Sequence, residues 1–253
     1  LLGAGALWTA WRGRSPLRGA VRSGFWFGLS AYTYLAARGI PVLLLGLGLL
    51  FALLERDRFR RRWRSLLLLV AVAATLSAPL IVYLAWNKDA QARVYEVDAP
   101  LRALQRGDWQ PVVRNVPRIA GMFSVTGDAT ERNNLPGRPV FAEPVWAALF
   151  YLGAAVSAAR FRDVRYSGLL LWVGVMSLPS LVTTEAPNFV RTLGAMPAVM
   201  ALPGVAVAFA LSRLRRSNPG WRGMVAAVVA AAALTNVGLT VRDYFVAWPR
   251  IPE

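Results

Sequence analysis

The side chains able to do chemistry fall into three clusters. The first is Tyr32-Thr33-Tyr34-Leu35-Ala36-Ala37-Arg38. On a helix, Tyr34 and Arg38 are four residues apart and share a face. Two readings of this stretch stand: an aromatic belt with a snorkelling arginine, or hydroxyl and guanidinium groups lining a phosphate or sugar site. The second cluster is Thr183-Thr184-Glu185-Ala186-Pro187-Asn188-Phe189-Val190-Arg191. Pro187 suits the first turn of a helix, which would aim the backbone N–H groups of 188 and 189 outward at the positive end of the dipole. Arg191 then lies one turn further in, on the same face. A helix N-terminus plus an arginine is an anion site in physical terms; the plainer reading is that Thr184 or Glu185 caps the helix and Arg191 anchors it to head groups. The third cluster is the loop from Gly127 to Pro139. Its carboxylates, Asp128 and Glu131, are candidates for acid/base work or metal binding, and Arg132, Asn134 and Arg138 for an acidic or sugar ligand. The alternative is a Gly/Pro/Asn-rich turn region whose charges are solvated.

Several chemistries are closed to this chain. It has no cysteine and no histidine, so disulfides, thiol nucleophiles, histidine general bases and the usual zinc sites are excluded. The carboxylates show no recognisable metal spacing. No metal ligand is therefore assigned; the cofactor stays unknown, with a divalent cation left open. There is no Walker-type loop and no dinucleotide fingerprint.

The elements that must hold these clusters are apolar helices. The chain has 253 residues, 56% of them hydrophobic and only 17% charged, with a mean hydropathy of +0.43. A soluble domain of this length would need a more polar surface, and the apolar content is too high for disorder. A membrane-spanning helix needs roughly 20 mostly apolar residues. Runs that qualify or come close are 1–10, 20–37, 40–54, 66–86, 143–159, 166–183, 192–211 and 222–242. None shows the alternation of a membrane β-barrel strand. Gly39 and Pro41 punctuate the chain between two runs as a helix stop and start would. Gly24-xxx-Gly28 could pack helices closely, although such small-residue pairs abound in membrane spans.

Charge orients the runs. The formal net charge is +16, almost all of the basic charge being arginine. The connections 11–23, 55–64, 160–165 and 213–222 hold 17 arginines against three acids; everything else holds 12 basic residues against ten acids. If each run spans once, all four connections fall on one side, which the positive-inside rule places in the cytoplasm. Arg38, the segment 87–142, the loop 184–191 and the C-terminus then face outward. The arginine run 56–64 is most simply a topology signal and an anionic-lipid contact rather than a nucleic-acid site. A loop as long as 87–142 is seldom structureless, and short helices are expected around 98–106 and 110–120. The chain opens Leu1-Leu2-Gly3-Ala4 and stops just after an apolar run, so a fragment of a longer protein is expected, with its first span truncated and no signal peptide to read.

With these residues laid out, the sequence resembles the C-terminal membrane part of bacterial glycosyltransferase family 39 proteins. These are similar to protein O-mannosyltransferases within the GT-C superfamily. The resemblance lies in three blocks: Gly28-Leu29-Ser30-Ala31-Tyr32-Thr33-Tyr34-Leu35-Ala36-Ala37-Arg38 with Pro41; Gly121-Met122-Phe123-Ser124-Val125-Thr126-Gly127-Asp128 with Arg132 to Pro139; and Leu178-Pro179-Ser180 with Glu185 to Pro197. It implies a polyprenyl-phosphate-dependent transferase that moves a sugar from a lipid-phosphate donor to a protein, lipid or glycan acceptor at the outer membrane face. In such enzymes the catalytic carboxylate usually lies in a first outward loop, N-terminal to this chain, so no residue here inherits that role. Asn133 and Asn188 stand where relatives often carry His, so no proton-transfer role is carried over to them. The resemblance makes Arg38 and Arg191 the expected phosphate contacts and Tyr32 and Tyr34 neighbours of the lipid head or sugar. The loop with Asp128, Arg132, Asn134 and Arg138 would shape the acceptor site.

The expectation is thus an all-α, polytopic helix bundle of about seven or eight spans in the plasma membrane. Residues 1–86 and 143–242 would be transmembrane, 87–142 an outward loop, and 243–253 the start of a further outward segment. Membrane lipids are expected partners and nucleic acid is not. The competing classes are a transporter or lipid flippase, disfavoured because the charges cluster at the ends of spans rather than at mid-membrane, and a non-catalytic membrane subunit.

Overall fold

The computed structural model describes residues 2–13, 15–33, 37, 39–87, 99–132, 134–214 and 219–251. Among them the chain is all-helical, without a strand. Eight helices coincide with the eight runs: α1 (Leu2–Arg12), α2 (Pro16–Ser30), α3 (Ile40–Leu54), α4 (Arg56–Trp86), α7 (Pro144–Ala159), α8 (Val164–Leu181), α10 (Met196–Leu214) and α11 (Pro219–Arg242). Between α4 and α7 lie the two short helices α5 (Ala99–Gln105) and α6 (Gln110–Gly121), close to their expected positions. A single turn, α9 (Phe189–Thr192), leads through a 3-10 turn into α10. After α11 the chain continues in a π turn, Asp243–Ala247, and a 3-10 turn, Trp248–Arg250.

Four segments among the described residues are long and apolar enough to cross a membrane: Arg56–Trp86, Val164–Leu181, Phe189–Arg213 and Gly223–Arg250. Helices α3 and α7 are apolar but shorter. Three boundaries differ from expectation. The arginine run 56–64 is not a connection; it forms the first turns of α4, because arginine is a good helix former and the helix continues through it. The resulting 31-residue helix is about 46 Å long at 1.5 Å per residue, well beyond a hydrocarbon core of about 30 Å. Residues 16–23 likewise belong to α2, opened by Pro16 at its first position. At its other end α2 stops at Ser30 rather than running to 37, passing into turns over 31–33.

Close backbone approach holds the helices together. A Cβ at Gly24 would lie 2.5 Å from the Leu69 carbonyl oxygen, and one at Gly28 would lie 2.9 Å from that of Ala73. The Gly24-xxx-Gly28 pair is therefore the seam along which α2 lies on α4, as small residues allow where lipid supplies no hydrophobic drive. Ser23, fully buried beside it, donates to the Gly3 carbonyl of α1 at 2.9 Å. At the second seam, a Cβ on Gly153 of α7 would fall 1.9 Å from the Leu202 carbonyl oxygen of α10. Helix α3 links the halves, packing against both α4 and α8.

The arginine-rich connections gather at one end of these helices. Glu55 pairs with Arg12 and Arg58 and accepts from the Trp11 indole at 3.0 Å. Arg62 donates to the carbonyls of Ala10 and Gly13 at 3.1 and 3.0 Å. Asp163 caps α8 through the Arg165 N–H, at 3.0 Å, and pairs with the Arg165 guanidinium at 2.6 Å. That hydrogen-bonded guanidinium is the main reason its carboxyl stays below the ordinary carboxylate value, with Arg12 close enough to add to the effect. Arg160, in the same connection, lies over the Phe209 ring at the end of α10, as does Arg213. The eight helices thus alternate in direction between an arginine pole and a second pole. At the second pole α6, the loop after it, the 183–192 segment and the C-terminal turns meet.

Candidate functional site

The second pole contains a buried polar cluster. Asn115, Asp128, Ser180, Thr183, Asn188, Arg191 and Thr192 are all buried. Sequence places them on three separate segments, and the fold joins them. Asn115 sits with Val112 and Ile119 on the inward face of α6, and its carboxamide donates to the Leu181 and Thr183 carbonyls, each at 2.9 Å. That bond closes the frayed C-terminus of α8. The loop after α6 is pinned to the same place by Asp128, only 1% exposed. One of its oxygens accepts from the Thr130 N–H and the other from the Phe189 N–H, both at 2.9 Å.

This geometry changes the expected anion site. The helix begins at Phe189, not at Pro187, because the Asn188 carboxamide accepts from the Arg191 N–H at 3.1 Å and caps the turn. Neither Thr184 nor Glu185 caps it. The two N–H groups expected to face outward are both consumed: that of Asn188 donates to the Ser180 hydroxyl at 2.9 Å and that of Phe189 to Asp128. The protein's own carboxylate, Asp128, occupies the position an external anion would take. Arg191 does lie at this turn, but its side chain is folded inward. One guanidinium nitrogen donates to the Thr183 hydroxyl at 3.0 Å and another to Glu185 at 2.9 Å. The Glu185 side chain is 58% exposed against 10% for Arg191. The result is an outward carboxylate held on a buried cation.

The other sequence candidates are dispersed. Tyr32 is half-exposed at the end of α2 and donates to the Leu76 carbonyl of α4 at 2.8 Å. Tyr34, Arg38 and Asn133 lie outside the described residues. Arg132 is exposed; Asn134 donates to the Arg138 carbonyl at 3.3 Å. Arg138 is not solvated: it pairs with Asp243, which is itself buried, and Trp248 donates to the Glu131 carbonyl at 2.9 Å. The 127–139 loop is therefore a strapped structure, fixed to the 189 turn at one end and to the chain's C-terminal turns at the other. Among the described residues no group of three or more acidic side chains converges as a metal site would.

An apolar groove of about 1100 Å³ runs between α3 and α4, lined along its length by Leu44, Phe51, Phe59, Leu66, Ala73 and Leu84. Its arginine-pole end is marked by Trp63, its other end by Ala31, Ala37 and Ala85. That second mouth is linked to the polar cluster through one methionine. A Cβ at Gly39 would meet the Met176 sulfur at 3.3 Å, and one at Gly194 would meet the Met176 methyl at 2.2 Å. Groove mouth and 188–194 turn thus flank a single side chain. No protein-family model matches the chain, and neither a curated protein nor a solved structure matches it.

Sequence reasoning missed Asn115 and Asp243 as members of this pole. Only Asn115 carried a signal: an amide at the inward register of an otherwise amphipathic helix, where a buried polar group must find partners.

Proposed function

We propose that this chain is the membrane part of a polyprenyl-phosphate-dependent sugar transferase of GT-C type, acting at the outer face of the plasma membrane. The observation that supports this reading best is the α3–α4 groove, apolar along its length, whose mouth away from the arginines is separated by Met176 from the turn that carries the Glu185–Arg191 pair. A groove of that lining suits an isoprenoid chain, and the pole suits its charged head. About seven or eight spans then cross the bilayer, the shorter ones drawing the membrane thinner around them. The arginine pole faces the cytoplasm, and 87–142 lies outside.

In this reading the donor's phosphate competes with Glu185 for Arg191. Glu185 is exposed and free to swing away, whereas Arg191 is held by Thr183 and stays. The negative charge that develops on the phosphate as the glycosidic bond breaks is then met by a fixed guanidinium in a poorly hydrated site. Arg38 supplies a further phosphate contact, and Tyr32 and Tyr34 neighbour the lipid head or sugar. The 127–139 strap borders the acceptor. The base that activates the acceptor hydroxyl is contributed from outside this chain.

The test is sugar transfer from a polyprenyl-phosphate donor by the full-length protein in native membranes. Arg191→Ala is expected to lower transfer about 100-fold at unchanged expression, and Arg191→Lys to recover only part of it. Unchanged transfer in Arg191→Ala would remove Arg191 from the donor site. Movement of labelled lipid across the bilayer without any sugar transfer would mark a flippase instead.

A further inference from the structure

A second pocket, of about 440 Å³, lies at the arginine pole, on the outside of α10. Its floor is Ala201, Gly204, Val205 and Ala208, one face of that helix at successive turns. Its polar rim is Arg160, Tyr166 and Ser212. The Arg160 guanidinium donates to the Tyr166 hydroxyl at 2.6 Å and stands 5.4 Å from the centre of the Phe209 ring. Arg213 stands 5.2 Å from the centre of the same ring. Two cations therefore share one aromatic ring. Nearby Asp163 is already paired with Arg165, and among the described residues no carboxylate pairs with Arg160 or Arg213. Both guanidiniums are exposed and keep donors to spare.

We propose that this pocket binds one anionic phospholipid, its phosphate between Arg160 and Arg213 and the start of an acyl chain on the Ala201–Ala208 face. The argument is charge complementarity set on an apolar track. Two guanidiniums beside one ring, neither paired with a carboxylate among the described residues, make a cationic mouth that a phosphate neutralises while accepting their N–H groups. The track below is open: a Cβ on Gly204 would meet nothing within 4 Å, so a chain can lie directly on the helix. Basic pockets beside transmembrane helices at the cytoplasmic face are where anionic head groups bind. This site differs from the run 56–64, where Arg58 pairs with Glu55 and Arg62 donates to the carbonyls of Ala10 and Gly13. It is also independent of the transferase reading, which concerns the opposite pole.

The experiment is native mass spectrometry of the full chain, extracted from membranes in mild detergent and offered phosphatidylglycerol or phosphatidylcholine vesicles. One phosphatidylglycerol is expected to remain bound, at least tenfold in preference to phosphatidylcholine. Arg160→Gln with Arg213→Gln should abolish that preference, and Gly204→Leu, which fills the track and leaves both charges, should abolish retention. Arg60→Gln with Arg61→Gln should change neither. If the Arg160 variant fails to fold, Arg213→Gln alone reads the same site, since the Arg213 guanidinium stands over the Phe209 ring and is exposed. Equal retention of both lipids, undiminished binding in Gly204→Leu, or displacement of the lipid by millimolar inorganic phosphate would overturn the proposal.

Discussion

Asp128 shows how one carboxylate can close a site that its sequence neighbours advertise as open. Its two oxygens take the Thr130 and Phe189 N–H groups and leave nothing for an external anion at that turn. Asp128→Ala strands both donors in a buried place, so it should cost about 1–3 kcal/mol, read as a lowered unfolding midpoint in detergent; an unchanged midpoint would mean the strap is not held there. Glu185→Gln probes a different property. It weakens the hold on Arg191 without burying anything, because the carboxylate is exposed. Donor affinity should therefore rise a few-fold in Glu185→Gln, measured as a lower KM for the lipid donor; a higher KM would show that Glu185 assists donor binding rather than competing with it. Asp163 gives a pH signature at the other pole. Its folded carboxyl lies below the ordinary value of 3.8, so the cap contributes in full above that value and is lost as pH falls below it. An acid titration of stability should lose that component in Asp163→Asn, and identical titrations would contradict the cap.

At the scale of elements, packing seams rather than hydropathy decide which helices touch. Hydropathy alone located the four long apolar helices and the two shorter ones, because lipid-like runs are long and unbroken. It misplaced the ends of α2 and α4, because arginines prolong a helix without lowering its stability, and a hydropathy window stops where the apolar residues do. It was silent about the seam at Gly153, where contact with Leu202 depends on two helices 49 residues apart. The polar cluster was half legible for the same reason. Arg191 and Asp128 stood out by residue type, but the Asp128–Phe189 bond joins residues 61 apart, and no spacing rule reports it. The seam yields a direct expectation. Gly153→Leu forces a side chain into a carbonyl 1.9 Å away, which must part α7 from α10. Overpacking of this kind costs about 1–3 kcal/mol or more, so yield and thermal midpoint should both fall. Gly48→Leu, where a Cβ meets nothing, should be tolerated.

The whole molecule is a two-pole object. Contacts gather Arg12, Arg58, Arg62, Arg160 and Arg213 with their neighbours toward one end and the buried polar cluster at the other. This separation supports every functional statement made here: the donor head belongs to one pole and the anionic phospholipid to the other. The absence of cysteine from these 253 residues makes the separation measurable, since an introduced thiol is the sole label site within them. Single-cysteine variants at Arg60, on α4, and Arg132, in the strap, are both exposed and leave every bond described above intact. With a membrane-impermeant maleimide on intact cells, position 132 should label at once and position 60 only after permeabilisation. Labelling of both positions from the same side, or of position 60 alone in intact cells, would contradict the account.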